Sequence, residues 1–308
     1  MSFTNVKNRV WAGYDVFAGW LARRSPPVRR VGYGVFGVIL WVAYLVPGSS
    51  IRATFAALAR QLDLDAPTRL FRGYVQGFLR GMNRIEQLRH GYTEGVEALF
   101  EFPEEARLHA LLERGGVVMV FPHTHANLAM GRGLSQRFPL LFLVRSTTNE
   151  KRAASEKEIY DNMGADFLDV RREPAANVAR TVLKSLKTGG LILGTVDRIN
   201  RPPSADAPVD AVRDLVRASA FGEAVGMTGW PARFSARAGA TILPAYVVQT
   251  GTVISLRLGP DITPTDDLVA STQAWTDEMT ALIRAHPEEW TFALDKHWSR
   301  TLKQADAR

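Results

Sequence analysis

Residues 116–125 read GVVMVFPHTH. Val117 to Phe121 form an unbroken apolar run of strand length, set between Gly115-Gly116 and Pro122. Such a run predicts a strand buried on both faces, the kind found in parallel sheets with helices on either side. The next residues are polar: His123, Thr124 and His125. They would lie at the carboxyl end of that strand, the edge where open α/β sheets gather their chemistry.

Moving outward, apolar runs at 140–144, 167–170, 191–193, 241–243, 246–248 and 253–258 repeat the signal. Helical stretches at 108–113, 151–163, 175–187 and 271–285 are interleaved with them, the last turning Trp275, Met279, Leu282 and Ile283 inward. The alternation predicts an α/β fold, a mostly parallel central sheet covered by helices on both faces. Two more polar sets fall at strand ends: Arg145-Ser146-Thr147 and Asp197-Arg198. A neutral imidazole takes a proton from an alcohol when a carboxylate orients its other nitrogen. His123 and Asp197 are therefore the candidate catalytic pair. Arg145 and Arg198 are candidates for binding phosphate or an oxyanion.

The chain has 308 residues and a net charge of +7, with 46% hydrophobic and 22% charged residues. That composition is globular. It has no cysteine, which excludes disulfides, zinc–thiolate centres and thiol nucleophiles. The charge is uneven: residues 1–90 carry thirteen basic and four acidic residues, +9, and the rest of the chain sums to −2. An anionic partner at one end is implied.

Residues 31–47, VGYGVFGVILWVAYLVP, carry no charge and follow Arg23, Arg24, Arg29 and Arg30. As a helix they would rise about 25 Å, short of a full hydrocarbon core. An in-plane or re-entrant membrane anchor is expected, its arginines on the cytoplasmic side. A short single span and a buried core helix are the other readings. Residues 68–89 form an amphipathic helix, with Leu70, Tyr74, Phe78, Ile85 and Leu88 near one face and Arg69, Arg72, Gln76, Arg80 and Arg84 on others. The division is a basic, apolar, membrane-associating segment at 1–95 and an α/β domain at 96–303. Anionic lipid is the expected surface. A nucleic-acid partner is not expected, because an uncharged 17-residue run has no place in a soluble DNA reader. The stretch 202–220 puts Val209, Val212, Leu215 and Val216 on one helical face, predicting a surface helix or lid.

The ordered motifs carry a family resemblance. Gly116 through His123 resembles the strand and catalytic histidine of the late lipid A (lauroyl/myristoyl) acyltransferases. It is equally similar to the phosphatidylinositol mannoside acyltransferases of the same lysophospholipid acyltransferase-like superfamily. Leu143-Val-Arg145, Gly194-Thr-Val-Asp197-Arg198, Phe221-Gly222, Gly229-Trp-Pro231-Ala232, Ala238 through Pro244 and Pro287-Glu288-Glu289-Trp290 follow in the family's order. The resemblance covers most of residues 30–300. It implies acyl transfer from acyl carrier protein or coenzyme A to a hydroxyl of a membrane glycolipid, at the cytoplasmic face of a bacterial inner membrane. The thioester would be a co-substrate, with no cofactor and no metal. It further implies backbone amides after the strand as oxyanion donors and an apolar channel beside the pair.

One position departs from the pattern. The family has an acid five residues after its histidine; here that residue is Leu128, or Met130 counted from His125. Asp197 is the remaining partner, with His125 and Asn127 as candidate substrate-binding residues. A catalytically impaired lipid-binding relative is the alternative function. A metal-dependent hydrolase built on His123-x-His125 is another, and would need ligands from later strands.

Overall fold

In the computed structural model, which describes residues 3–306, the chain starts with α1 (Phe3–Ala22), α2 (Pro26–Leu45), α3 (Ser50–Gln61) and α4 (Pro67–Arg89). A short turn, α5 (Glu94–Glu97), and an edge strand, β1 (Phe100–Glu101), lead into α6 (Glu105–Arg114) and β2 (Val117–Phe121). Then α7 (Asn127–Ser135), β3 (Leu140–Val144), α8 (Glu150–Met163), β4 (Asp166–Asp169), α9 (Ala175–Lys187) and β5 (Leu191–Thr195) alternate. An excursion of three strands, β6 (Val209–Asp210), β7 (Leu215–Ala220) and β8 (Glu223–Thr228), precedes α10 (Trp230–Ala238). Next come β9 (Thr241–Thr250), β10 (Val253–Leu258), α11 (Leu268–Ala285) and α12 (Lys296–Asp306).

The central sheet has seven strands in the order β1-β10-β9-β2-β5-β3-β4, parallel except at the β9–β10 pair. β2 is buried along its whole length, as an unbroken apolar run requires. Its side chains alternate between two cores. Val118 and Val120 join Ile192, Ile242 and Tyr246 on one face, while Val117, Met119 and Phe121 join Leu193, Leu243 and Val247 on the other. The sheet is therefore covered on both faces.

Position 95 is not a gap in packing. Phe55 and Leu58 of α3 and Phe71, Tyr74 and Val75 of α4 belong to the same core as the sheet residues Val118 and Ile192. α4 is an interior strut, touching α1, α2, α3, α5, α7 and α8. Its arginines do not all face solvent as the amphipathic reading expected. Arg69 and Arg72 are exposed, but Arg84 is buried and reaches Gln249 and Thr252 of the β9–β10 hairpin. Periodicity shows only that one face is apolar; it cannot show that a second face is also covered.

The helix expected within 202–220 is absent. Leu215 to Ala220 is a strand, paired antiparallel with both β6 and β8. The β7–β8 connection is the two-residue turn Phe221-Gly222, both at positive φ (52° and 78°), as a tight hairpin demands. Glycine takes that conformation freely, whereas Phe221 is held there by its buried ring. The turn chemistry outranks the helical spacing of four valines and leucines. The separate apolar runs at 241–243 and 246–248 are one strand, which continues through Pro244.

α2 is long and apolar enough to cross a membrane, yet it has two unlike faces. Tyr33, Gly37 and Tyr44 are buried, Gly37 lying close beneath Leu79 of α4 and the Tyr44 hydroxyl bonding Thr68 Oγ1 at 3.1 Å. Val31, Val35, Val38, Ile39, Val42 and Leu45, at helical spacing, are each more than half exposed. On α1, Val16 and Trp20 are also exposed.

Two glycines let α4 sit against the loop after β2. A Cβ on Gly77 would lie 2.5 Å from His125 Cδ2, and one on Gly81 2.5 Å from the His125 carbonyl oxygen. Backbone cannot swing aside as a side chain can. Gly81→Ala is therefore expected to destabilise the fold by roughly 1–3 kcal/mol despite alanine's better helix propensity. Denaturant unfolding measures this, and a stability equal to wild type would refute the packing account.

Candidate active site

β2 and β5 are neighbours in the sheet, with Val120 opposite Gly194. His123 and Asp197 each stand three residues beyond that pair, so the same register that aligns the strands sets them face to face. His123 Nδ1 lies 2.5 Å from Asp197 Oδ1, and the His123 backbone N–H donates to Asp197 Oδ2 at 3.0 Å. Asp197 is fully buried, while the His123 side chain keeps 28% of its surface exposed. A carboxylate only accepts, so the ring nitrogen facing it carries the proton. Nε2 is left as the basic atom, on the exposed side.

The carboxylate has a third donor, Trp290 Nε1 at 2.8 Å from Oδ2, and the Asp197 carbonyl accepts from Trp298 Nε1 at 2.5 Å. Both indoles are fully buried, and Phe221 stacks on Trp290 with ring centres 5.6 Å apart. Phe292 lies parallel to the His123 ring at 3.9 Å, and the Arg198 guanidinium sits 5.6 Å from the same phenyl ring. The loop after β2 is sewn to this segment. Thr291 donates to the His123 carbonyl through both N–H and hydroxyl, and the His125 N–H donates to Glu289 O.

Four predicted site residues fall elsewhere than the pair. Arg198 is exposed beside it. Arg145 is exposed at the end of β3, two strands from β2 and so roughly 10 Å away along the same sheet edge. Asn127 does not face the site: it is buried, accepting from Thr124 Oγ1 at 2.6 Å and donating to Pro122 O at 2.8 Å. It staples the turn that presents His123. His125 is also buried, edge-on to Tyr74 with ring centres 4.9 Å apart and packed on Phe78. The two histidines thus point into different surroundings and make no ligand pair. Among the described residues no cluster of three or more His, Asp or Glu is placed to hold a metal. Leu128, at the family's acid position, packs against the apolar core.

The amides expected to receive an oxyanion are partly committed. Those of His123 and His125 already donate to Asp197 and Glu289. The Arg198 guanidinium, 5.6 Å from the Phe292 ring on which His123 stacks, makes no ion pair among the described residues. Neither the cleft between α3 and α12 nor the one among residues of α1, α2, α4 and the 91–95 loop is lined by His123.

A polar network behind the pair was not foreseen. Glu289 is buried, accepts from Gln249 Nε2 at 2.8 Å and has Arg80 at 3.9 Å, while Gln249 Oε1 receives Arg84 and Arg80. Burial pushes the Glu289 carboxyl up to about 7, the bond from Gln249 and the charge of Arg80 opposing it. Burial pushes the His125 imidazole down to about 3, with Arg80 adding to the effect. The sequence signal for the tryptophans was available: a buried indole N–H needs an acceptor, and Trp290 and Trp298 stand eight residues apart in the terminal motif. Which acceptor they take required the fold.

Comparison of the chain with models of known protein families finds no match, and comparison with curated proteins finds none.

The short Nδ1–Oδ1 contact should give a proton resonance well downfield of the amides in the spectrum of the folded protein. Asp197→Asn should abolish it and Trp290→Phe should shift it, the latter losing about 1–3 kcal/mol of stability for an incompletely satisfied carboxylate. An unmoved resonance in Trp290→Phe would contradict the indole contact.

The folded chain keeps Glu289 protonated up to about 7, whereas the unfolded chain releases that proton near 4.5. The folded state therefore holds more protons in this window, and the group costs stability as pH rises through it. His125 acts in reverse, costing stability as pH falls below 6.5 toward about 3. Glu289→Gln removes only the first effect. Relative to wild type it should gain roughly 1–3 kcal/mol between pH 4.5 and 7, read from thermal unfolding across that range; a pH-independent difference would refute the assignment.

Proposed function

We propose that the protein is a membrane-associated acyltransferase. It moves a fatty acyl chain from a thioester on acyl carrier protein or coenzyme A to a hydroxyl of a glycolipid of the lipid A or phosphatidylinositol mannoside kind. The His123–Asp197 contact carries the reading: one imidazole nitrogen is held by a fully buried carboxylate and the other is open at the sheet edge. The family resemblance of the ordered motifs supplies the substrate class.

His123 Nε2 takes the proton of the acceptor hydroxyl as its oxygen attacks the thioester carbonyl. Asp197 fixes the tautomer and balances the imidazolium. The new C–O bond forms, the C–S bond breaks, and the imidazolium returns the proton to the leaving thiolate. Arg198, exposed and 5.6 Å from the Phe292 ring on which His123 stacks, would meet the oxyanion. Arg145, farther along the same edge, is placed for a phosphate of donor or acceptor.

The two-faced α2 supports attachment in the plane of a membrane rather than across it. Its inner face is committed to α4, and its outer face is an apolar stripe about 21 Å long, from Val31 to Leu45. The arginine-rich ends belong on the cytoplasmic side of a bacterial inner membrane. A non-catalytic lipid-binding protein is the second reading, favoured by Leu128 where the family has an acid.

The test is lipid mass spectrometry of a strain lacking the gene. One glycolipid should be short of an acyl chain, restored by wild type but not by His123→Ala, whose rate should fall on the order of 10²–10⁴-fold. Full restoration by His123→Ala would favour the non-catalytic reading. An unchanged lipidome would count against acyl transfer and leave the non-catalytic reading standing.

A further inference from the structure

An open cleft of about 460 Å³ lies between α12 and the start of α3. Three cations line it, Lys296, Arg300 and Lys303, together with Ser50 and Leu294, and no carboxylate does. Among the described residues none of the three forms a salt bridge; Lys303 Nζ donates to Ser50 Oγ at 3.2 Å. The neighbouring Asp295 is turned away, capping α12 through the His297 N–H at 2.8 Å. Like charges at positions i, i+4 and i+7 of one helix repel each other. An anion bound between them removes that cost.

The position of the cleft says which anion. Ser49 Oγ donates to Ala43 O at 2.7 Å, tying the α3 start to the last turn of α2. The cleft therefore opens where the exposed stripe of α2 ends, at Leu45 and Val46. Arg23, Arg24, Arg29 and Arg30 stand at the stripe's other end. An apolar band with cations at both ends matches a bilayer surface whose chains are apolar and whose headgroups are anionic. On the far side, Leu294 shares a short helical turn with Phe292, the ring on which His123 lies.

We propose that this cleft binds the phosphate headgroup of an anionic membrane lipid, with Lys296, Arg300 and Lys303 as the recognising charges. The inference rests on the in-plane membrane attachment of α2, but not on acyl transfer. When the α2 stripe lies in the hydrocarbon boundary, the cleft sits at headgroup depth, beside the segment that supports His123.

The experiment is flotation of the full chain with vesicles of phosphatidylcholine alone, or with about a third phosphatidylglycerol. Wild type should bind both and prefer the anionic vesicles, the preference fading as salt rises. The triple variant Lys296→Gln, Arg300→Gln, Lys303→Gln should lose most of the preference, its affinity for anionic vesicles falling on the order of 10–100-fold while the arginines at the other end of α2 keep the remainder. It should still bind neutral vesicles as wild type does. Circular dichroism checks its fold, since all three side chains are on the surface. Ile39→Asp, on the exposed stripe, should weaken binding to both vesicles. If the triple variant keeps the anionic preference undiminished, the cleft assignment falls and the membrane attachment stands. If wild type binds neither vesicle, both fall. If inorganic phosphate binds wild type but not the triple variant, and anionic vesicles bind both equally, the site belongs to a soluble phosphate compound and the lipid assignment is overturned.

Discussion

A carboxylate with no exposed surface governs this molecule. Asp197 is removed from water, and a buried charge is tolerated only when its lone pairs are filled. The chain fills them with the imidazole and backbone N–H of His123 and the indole N–H of Trp290. Trp298 adds a bond to the main chain at the same residue. Each donor comes with an element attached: β2 brings His123, the segment leading to α12 brings Trp290, and α12 itself brings Trp298. The constraint thus fixes how the end of the chain closes over the edge of the sheet. Phe221, in a left-handed conformation that nonglycine residues seldom adopt, packs on both indoles and joins the β7–β8 hairpin to the same knot.

α4 is the counterpart of that knot on the other side of the loop after β2. Gly77 and Gly81 let it approach His125 closely, and its Arg80 and Arg84 reach through to Gln249 and Glu289. The histidine loop is therefore clamped between an N-terminal helix and a C-terminal segment. This explains why a basic N-terminal third is part of the body. It also leaves α2 free to have two faces, one packed on α4 and one bare.

The architecture was largely legible because its strands are buried on both sides. Val117–Phe121 and Leu191–Leu193 are apolar without alternation, and that pattern leaves few other folds open. The pairing of His123 with Asp197 followed from placing both at the same sheet edge, and the register of β2 against β5 accounts for it. Three things were hidden. The 202–220 stretch has a helical spacing of apolar residues, and only the Phe221-Gly222 turn tells strand from helix. Asn127 and His125 stand one turn from His123 in sequence, yet the chain turns them inward, because proximity along a loop does not set which way a side chain faces. The Arg84–Gln249–Glu289 network joins residues 40 to 165 positions apart, and no local pattern encodes such a meeting.

The tryptophan that grips the Asp197 main chain lies 101 residues further along the polypeptide. During synthesis, histidine and aspartate both leave the ribosome long before the indoles that enclose them. Until Trp298 emerges, the acid stands in water and the imidazole is unsupported. Every strand of the sheet precedes residue 298 in the chain, so the enclosure of the histidine–aspartate pair is completed only after the strands that carry it have been made.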